Sequence, residues 1–178
     1  LEAKRLLLAD DMGLGKTVQA LGLINADESI KNVLVICPAS LRLNWRREAV
    51  RWLVRVAKIV VVDDEHPMPD ANADIVIANF DRIRDPEVLV ALMSRPWDLL
   101  VVDECHRVKN PKAKQTKSVL GFYDKEKKER IDGLVHRAKR AVFATGTPIP
   151  NRPVELHPLL AALDPMQFGN WKRFVERY

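Results

Sequence analysis

The sequence predicts an α/β domain in which a mostly parallel sheet carries helices on both faces. Short apolar runs bounded by turn residues recur along the chain, and segments with helical periodicity separate most of them. Such runs suit strands buried on both faces, and alternation of strands with helices is typical of parallel sheets. The 178 residues, 47% of them hydrophobic, are enough for one domain with a buried core.

Six apolar runs are the predicted strands: Leu6–Ala9, Val33–Cys37, Ile59–Val62, Ile75–Ala78, Leu99–Val102 and Ala141–Ala144. The predicted helices are Thr17–Ser29, Leu41–Val54, Pro86–Ser94 and Lys112–Phe122. In the second of these helices, Trp45 and Trp52 share one stripe with Leu41 and Ala49. We therefore expect both tryptophans to lie in the core rather than to form a stacking platform.

Two polar segments separate the predicted elements. Residues 63–73, "DDEHPMPDANA", contain two prolines and no periodicity, so we expect a solvated turn rather than a metal site. Residues 121–140 contain "DKEKKER", whose alternating charges favour an exposed helix or a mobile insert. The sequence indicates no function for this charged insert.

Composition limits the class of protein without assigning an activity. The 29 Lys and Arg residues against 24 Asp and Glu residues give a net charge of +5, which permits a nucleic-acid surface without requiring one. Cys37 and Cys105 indicate two separate reduced thiols. No apolar run approaches the roughly 20 residues of a membrane span, and Leu1 begins no signal peptide. We expect an intracellular protein without a membrane partner, in cytoplasm or nucleoid if bacterial or viral and in the nucleus if eukaryotic.

The stretch "LLLADDMGLGKT", residues 6–17, predicts a phosphate-binding loop. It departs from the G-x-x-x-x-G-K-[ST] pattern because Asp10, followed by Asp11, replaces the first glycine. The rest of the loop follows a predicted strand and begins a predicted helix, which disfavours an ordinary glycine turn. The candidate phosphate ligands are Gly13, Leu14, Gly15, Lys16 and Thr17. Lys16 should contact the β- and γ-phosphates of a nucleotide, and Thr17 should bind Mg²⁺.

Two further polar segments follow predicted strands. In "LLVVDECH", Asp103 and Glu104 come directly after four apolar residues, at the strand end where open α/β sheets bind ligands. Asp103 is the candidate Mg²⁺ ligand and Glu104 the candidate base for the attacking water, although two acids after a strand alone would suit a helix cap. By itself "FATGTPIPN", residues 143–151, indicates only a turn. At the end of a strand in the same sheet, we expect the hydroxyls of Thr145 and Thr147 to approach the same crevice and sense a γ-phosphate.

The motifs "DDMGLGKT", "VLVICPASLRLNWRREAVRW", "IVIANFDRI", "VVDECHRVKNPKAKQT" and "ATGTPIPNRPVEL" together resemble the Swi/Snf-type ATPases of the superfamily 2 helicases. Annealing-helicase and bacterial members resemble the chain most closely. The resemblance runs almost from end to end. It implies a RecA-like lobe that binds ATP and Mg²⁺ and couples hydrolysis to movement along double-stranded DNA, without necessarily separating the strands.

The resemblance also assigns roles by position. Lys16 and Thr17 hold phosphate and Mg²⁺, and Asp103 with Glu104 forms the acidic pair. His106 links the nucleotide to a loop made of Thr145, Gly146 and Thr147. The segments that contact the DNA backbone are Pro38, Ala39 and Ser40 after the second strand and Asn79 with Phe80 after the fourth. Basic residues near these strand ends are candidate phosphate contacts, although most suit solvated helix faces: Arg42, Arg46, Arg47, Lys109, Lys112, Lys114 and Lys117.

The chain departs from the family pattern in a few places. Cys105 stands where relatives commonly carry Ala or Ser, and Pro150 and Arg152 flank Asn151 where "QN" is common. Residues 1–178 are expected to be an N-terminal RecA-like lobe that is incomplete at its start and lacks the second lobe. Because an arginine finger from that lobe is worth about 10³ to 10⁵ in rate in comparable systems, we expect feeble hydrolysis by the chain alone.

Two other functions remain open from the sequence. One is a lobe of a superfamily 2 helicase that separates RNA or DNA strands, which the "DECHRVKN" continuation disfavours. The other is a nucleotide-binding or DNA-binding module without turnover, which the intact Lys16, Thr17, Asp103 and Glu104 disfavour. At the start of the phosphate loop, Asp10 either braces the loop through backbone N–H groups or approaches the Mg²⁺ shell, and bracing is favoured.

Overall fold

The computed structural model describes residues 4–148 and 153–177. Its strands are β1 (Arg5–Leu8), β2 (Val33–Cys37), β3 (Ile59–Val61), β4 (Ile75–Asn79), β5 (Trp97–Asp103), β6 (Phe122–Asp124), β7 (Glu129–Ile131) and β8 (Ala138–Ala144). Its helices are α1 (Lys16–Ala26), α2 (Arg42–Trp52), α3 (Pro86–Met93), α4 (Lys114–Leu120), α5 (His157–Leu163), α6 (Pro165–Phe168) and α7 (Trp171–Arg177). Every predicted strand and helix overlaps an observed one. The predicted features at residues 149–152 lie outside the described residues.

Six strands form one parallel sheet in the order β1-β8-β5-β2-β4-β3. Every neighbouring pair in this sheet is parallel. Strands β6 and β7 form a separate antiparallel hairpin. The predicted α/β class, with a mostly parallel sheet, is therefore confirmed.

The core lies on both faces of the sheet because successive strand residues point to opposite sides. On β2, Leu34 and Ile36 belong to the cluster beneath α3, α4 and α5. Val33, Val35 and Cys37 belong to the cluster beneath α1 and α2. Helices thus cover both faces, which explains why the central strands are continuously apolar rather than alternating.

The parallel arrangement brings the carboxyl ends of the strands to one edge of the sheet. The register pairs Asp103 at the end of β5 with Ala144 at the end of β8, and Cys37 with Asn79 at the ends of β2 and β4. The loops that follow β1, β2, β4, β5 and β8 therefore begin at the same edge. Open α/β sheets bind their ligands at this edge.

Helices α1 and α3 begin differently. Asp85 caps α3, since its side chain accepts a hydrogen bond from the backbone N–H of Glu87 at 2.9 Å. Gly15 stands at the N-cap of α1 in the left-handed conformation and provides no side-chain cap. The first amides of α1 are consequently left to other acceptors, as in an anion-binding helix N-terminus.

The charged insert at residues 121–140 is not a helix, so the helical alternative predicted for it is wrong. Its chain forms the β6–β7 hairpin, a short 3-10 turn and the first residues of β8. Gly121 has a φ of 74°, and a Cβ there would lie 2.5 Å from the carbonyl oxygen of Ile131. A Cβ on Gly133 would lie 2.3 Å from the amide nitrogen of Gly121. These close approaches join the two ends of the hairpin and favour it over a helix.

The two tryptophans of α2 differ in burial. Trp45 is 2% exposed and belongs to the core, as predicted. Trp52 is 42% exposed, and its indole donates to Glu48 Oε2 at 2.8 Å, so its predicted core position is wrong. Trp52 is the last residue of α2.

Both cysteines are free and buried, which confirms the prediction of two separate thiols. Burial raises the pKa of Cys37 to about 12 and that of Cys105 to about 12. Each therefore stays a neutral thiol that packs as a small apolar side chain. Within the described residues, no helix combines the length and apolar character that crossing a membrane requires.

A pH-dependent contact connects the end of α1 with β8. Asp27, just after α1, pairs with Arg140 of β8. Hydrogen bonds from the Ser29 hydroxyl, which has the larger effect, and from Arg140 lower the pKa of Asp27 from 3.8 to about 2. The pKa of Asp27 is lower in the folded protein than in the unfolded chain. The ionised carboxylate therefore stabilises the folded protein above about pH 4, and this stabilisation is lost as the pH falls towards 2. We expect Asp27→Asn to lower the free energy of unfolding at pH 7, with a deficit that disappears over this range.

Urea denaturation of the wild type and the variant between pH 7 and pH 2 measures this deficit. Glu28→Gln is the matched control, because it removes a neighbouring exposed carboxylate that is not bonded to Arg140. A deficit for Asp27→Asn that stays constant across this range would contradict the assignment.

Candidate functional site

The first part of the site is the loop between β1 and α1. Gly13 has a φ of 83° and Gly15 a φ of 74°, a conformation that side chains with a Cβ rarely adopt. A Cβ built on either glycine would meet nothing within 4 Å. Backbone geometry, not crowding within the protein, therefore calls for glycine here. The open space beside both residues allows a ligand to approach the backbone closely.

Lys16 and Asp10 both stabilise this loop. Lys16 Nζ donates to the carbonyl oxygens of Asp10 and Asp11, each at 2.8 Å. Asp10 Oδ2 accepts a hydrogen bond from the side-chain amide of Gln19 at 3.0 Å, and the same amide donates to the Leu14 carbonyl at 3.1 Å. Asp10 therefore braces the loop through Gln19, not through a backbone N–H. Sequence reasoning missed Gln19, although it lies on α1 one turn after Lys16.

Asp103 ends β5 as a nearly buried carboxylate, 7% exposed. Its Oδ2 accepts the indole N–H of Trp45 at 2.8 Å, and its Oδ1 accepts the amide of Glu104 at 2.9 Å. Burial raises the pKa of Asp103, while these two hydrogen bonds and the charge of Lys16 oppose that rise. Sequence reasoning placed Trp45 in the core but did not predict its bond to Asp103.

Glu104 turns away from β5 in a strained conformation. Its φ of 51° lies in the left-handed region, which is uncommon for a residue with a side chain. Its Oε2 lies 3.2 Å from His106 Nδ1 and accepts the hydroxyl of Thr145 at 3.3 Å. The two adjacent acids thus have different neighbours: Asp103 contacts α2, and Glu104 contacts the loop after β8.

His106 lies among the hydroxyls of that loop. Its Nδ1 is 3.0 Å from Thr145 Oγ1 and 3.3 Å from Thr147 Oγ1. Thr145 is fully buried, and its Oγ1 also accepts the backbone N–H of Thr147 at 3.1 Å. The structure therefore brings His106, Glu104 and the two threonines into one hydrogen-bonded cluster.

Gly146 brings this cluster against the phosphate loop. A Cβ on Gly146 would lie 2.7 Å from Met12 Cγ and 3.6 Å from Lys16 Nζ. A side chain at position 146 would therefore displace the exposed side chain of Met12. The loops after β1, β5 and β8 therefore meet at the carboxyl edge of the sheet, as the sequence predicted for their residues.

The donor set suits a magnesium ion that shares its ligands with a nucleotide. No cluster of three or more His, Cys, Asp or Glu side chains in the described part of the chain is arranged to hold a metal. Mg²⁺ is usually bound by one or two protein oxygens together with phosphate oxygens and water. The carboxylate of Asp103 and the hydroxyl of Thr17, at the second position of α1, fit that arrangement.

The predicted DNA-binding segments also begin at this edge. Pro38 and the 3-10 turn of Ala39–Leu41 connect β2 with α2, and Ala39 and Ser40 are exposed. Asn79 is only 6% exposed, and its Oδ1 accepts the backbone N–H of Arg82 at 2.9 Å. A DNA contact by the Asn79 side chain stays a prediction that its burial disfavours.

Several of the candidate basic residues already have partners within the protein. Arg42 donates to the carbonyl oxygens of Ala39 and Val62, and Lys109 pairs with Glu155 at 2.8 Å. Lys117 lies over the ring of Phe122 at 4.8 Å. The exposed members of the set are Arg46, Arg47, Lys112 and Lys114.

Curated relatives match nearly the whole chain. The DNA annealing helicase and endonuclease ZRANB3 of Bos taurus is 31% identical over 179 residues, 98% of this chain and 16% of that protein. The SWI/SNF-related matrix-associated actin-dependent regulator of chromatin subfamily A-like protein 1 of Bos taurus is 32% identical over 98% of this chain. The ISWI chromatin-remodeling complex ATPase ISW2 of Saccharomyces cerevisiae is 33% identical over 96% of it. The chain spans about a sixth of the length of these relatives.

Solved structures of Swi/Snf-type ATPase cores are also similar to this chain. The Sulfolobus solfataricus SWI2/SNF2 ATPase core in complex with dsDNA matches with a TM-score of 0.73 and 26% identity. The match covers 97% of this chain and 34% of that one. The predicted RecA-like fold and the predicted resemblance to Swi/Snf-type ATPases, with annealing helicases among the relatives, are confirmed. Because the SNF2-related domain matches residues 2–178, the chain belongs to the SNF2-related domain family.

Proposed function

We propose that the chain is the ATP-binding lobe of a DNA-dependent ATPase that translocates on double-stranded DNA. The observation that carries this proposal is the meeting of three loops: Lys16 and Gly146 approach each other, and Glu104 contacts Thr145. An ATPase needs its phosphate-binding, acidic and sensing groups within reach of one nucleotide. Membership of the SNF2-related domain family supports the same function.

In this proposal the phosphates bind at the start of α1. The backbone amides of residues 13–17 surround them, and Lys16 exchanges its bonds to the carbonyls of Asp10 and Asp11 for the β- and γ-phosphates. Thr17 and Asp103 hold the magnesium ion. When bound, the ion neutralises charge that develops on the phosphate oxygens.

Glu104 is the proposed base that orients the attacking water and accepts its proton. Its left-handed backbone directs the carboxylate to the loop after β8, away from the buried position of Asp103. His106, Thr145, Gly146 and Thr147 then form the connection through which this loop responds to the γ-phosphate. The hydrogen bonds of this cluster support the role.

Duplex DNA is the proposed partner at the same edge of the sheet. A related solved structure is an ATPase core in complex with dsDNA. Phosphate and sugar contacts carry no sequence information, which suits a protein that moves along any sequence. The exposed Ala39 and Ser40, with the backbone at Pro38 and Asn79, are the proposed contacts.

We further propose that hydrolysis requires a second RecA-like lobe. The chain spans 34% of the matched ATPase core, so the remaining two thirds of that core leave room for one. The 178 residues alone are then expected to bind nucleotide and hydrolyse it slowly. Two buried free thiols suit the proposed location inside the cell, in the cytoplasm, nucleoid or nucleus.

Substitutions at Lys16 and Glu104 separate binding from hydrolysis. Glu104→Gln keeps the shape of the side chain but removes the base, so we expect retained ATP affinity and hydrolysis about 10²- to 10⁴-fold slower. Lys16→Ala should weaken ATP binding itself, because the main cation of the loop is lost. Binding of a fluorescent ATP analogue and phosphate release in the intact protein measure the two effects.

The matched control for Lys16→Ala is Lys127→Ala, which removes an exposed lysine in the turn between β6 and β7, outside the candidate DNA contacts. We expect this control to bind the ATP analogue and to release phosphate like the wild type. Normal turnover by Glu104→Gln would reject Glu104 as the base.

Comparing nucleic acids tests the proposed partner. We expect duplex DNA to stimulate phosphate release, with little stimulation by duplex RNA and no strand separation in an unwinding assay. Greater stimulation by RNA, or unwinding, would instead support a strand-separating helicase. ATP binding without hydrolysis on any nucleic acid would support a module without turnover.

Arg46 and Arg47 test whether α2 contacts DNA. Both are exposed near the start of the helix that follows Ser40. Reversing both charges to Glu should lower DNA affinity, and each lost phosphate contact should reduce the salt slope of binding by about one. Fluorescence anisotropy over a salt series measures both quantities.

Arg51→Glu serves as the control, because Arg51 is exposed at the opposite end of α2. It should leave the salt slope unchanged. An unchanged affinity in the Arg46 and Arg47 double variant would remove α2 from the DNA contacts.

A further inference from the structure

Trp45 makes a contact that its place in the core does not require. Its indole N–H donates to Asp103 Oδ2 at 2.8 Å, across 58 positions of sequence. An indole N–H only donates, so its partner is held as an acceptor. A hydrogen bond to a charged group in a water-poor setting is stronger than one between neutral groups. The contact therefore restrains the Asp103 carboxylate strongly.

The remaining oxygen of Asp103 is also restrained. Oδ1 accepts the backbone amide of Glu104 at 2.9 Å, while Oδ2 accepts the indole. Two donors from different directions define the plane of the carboxylate. Rotation about the side chain would break at least one of these bonds. Loss of the indole donor leaves only the amide of the next residue to orient the group.

The indole itself is held by packing. Trp45 lies in the core cluster between α2 and the sheet, together with Ala49, Val35 and Ile77. It lies in the first turn of α2, and this helix directly follows the 3-10 turn at residues 39–41. The ring is therefore fixed by a rigid helix, and it presents its N–H to Asp103 in one orientation.

We propose that Trp45 is a positioning residue, which holds the Asp103 carboxylate in the orientation required to bind the magnesium ion of a magnesium–nucleotide complex. The inference rests on the proposed ATPase function and assigns to Trp45 a role in that same site. Groups that orient a metal ligand typically contribute 10- to 100-fold to metal affinity or activity. Trp45 touches no reacting atom, so it acts through Asp103.

The test is the magnesium-dependent part of nucleotide affinity. Trp45→Phe removes the indole N–H and keeps an aromatic ring in the core. Anisotropy of a fluorescent ADP analogue, with MgCl₂ and with EDTA, measures affinity in the intact protein. We expect the variant to lose roughly 10-fold in affinity with magnesium and to match the wild type in EDTA.

Trp52→Phe is the matched control. Trp52 is on the same helix, and its indole donates to Glu48 Oε2 at the same distance, 2.8 Å, but on the surface. The control removes an equivalent hydrogen bond without affecting Asp103. It should bind nucleotide like the wild type under both conditions.

A second measurement does not depend on the fold of the Trp45 variant. The chain has four tryptophans, so ¹⁵N-indole labelling gives few signals to assign. Asp103→Asn should shift the indole signal of Trp45 and leave that of Trp97, which donates to the Leu92 carbonyl, nearly unchanged. A Trp45 signal that does not respond to Asp103→Asn would overturn the proposal.

The outcomes are distinguishable. A loss confined to the magnesium condition, seen in Trp45→Phe and absent from Trp52→Phe, supports the positioning role. Equal losses with magnesium and with EDTA would show general damage to the loop, and no loss would show that Asp103 needs no support; either result overturns the inference. A wild type without magnesium-dependent binding would instead reject the proposed ATPase function.

Discussion

The register of β5 between β2 and β8 is the constraint on which the rest of the site depends. It sets Asp103 level with Ala144, so that the acidic residues and the loop after β8 leave the sheet together. Side chains alternate along a strand, so a slip by one residue would exchange the two faces of β5. Leu100 and Val102 would leave their core cluster, and Asp103 would point away from Trp45. Such a slip would leave the buried Asp103 carboxylate without its indole donor, and this cost disfavours it.

The two adjacent acids are separated by backbone geometry. Asp103 belongs to the strand and is enclosed by α2, where Trp45 and the next amide satisfy its oxygens. Glu104 adopts the left-handed conformation and directs its carboxylate to Thr145. Such strain persists only where the surrounding structure imposes it, here through the buried strand before Glu104 and the buried Cys105 after it. One dipeptide thereby supplies two carboxylates with different environments.

Asp10, the first acid of the phosphate-binding loop, has an architectural explanation. Asp10 accepts the side-chain amide of Gln19, which also holds the Leu14 carbonyl, so that the loop is attached to the first turns of α1. The glycines that must approach a ligand closely come later in the loop, at Gly13 and Gly15, beside open space. An acid at the start is therefore compatible with anion binding, since its charge is engaged away from these glycines.

The sequence by itself determined the six strands of the parallel sheet, the helices α1 to α4 and the loop motifs, because each depends on a short pattern such as the apolar run before Asp103. Only the tertiary structure decided which side chains meet. Trp45 contacts Asp103 although 58 positions separate them, and His106 contacts Thr145 across 39 positions. It also decided that residues 122–131 form a hairpin, although their alternating charges favour an exposed helix or a mobile insert. These contacts follow from the order of strands in the sheet and from close backbone packing, and no local pattern encodes either.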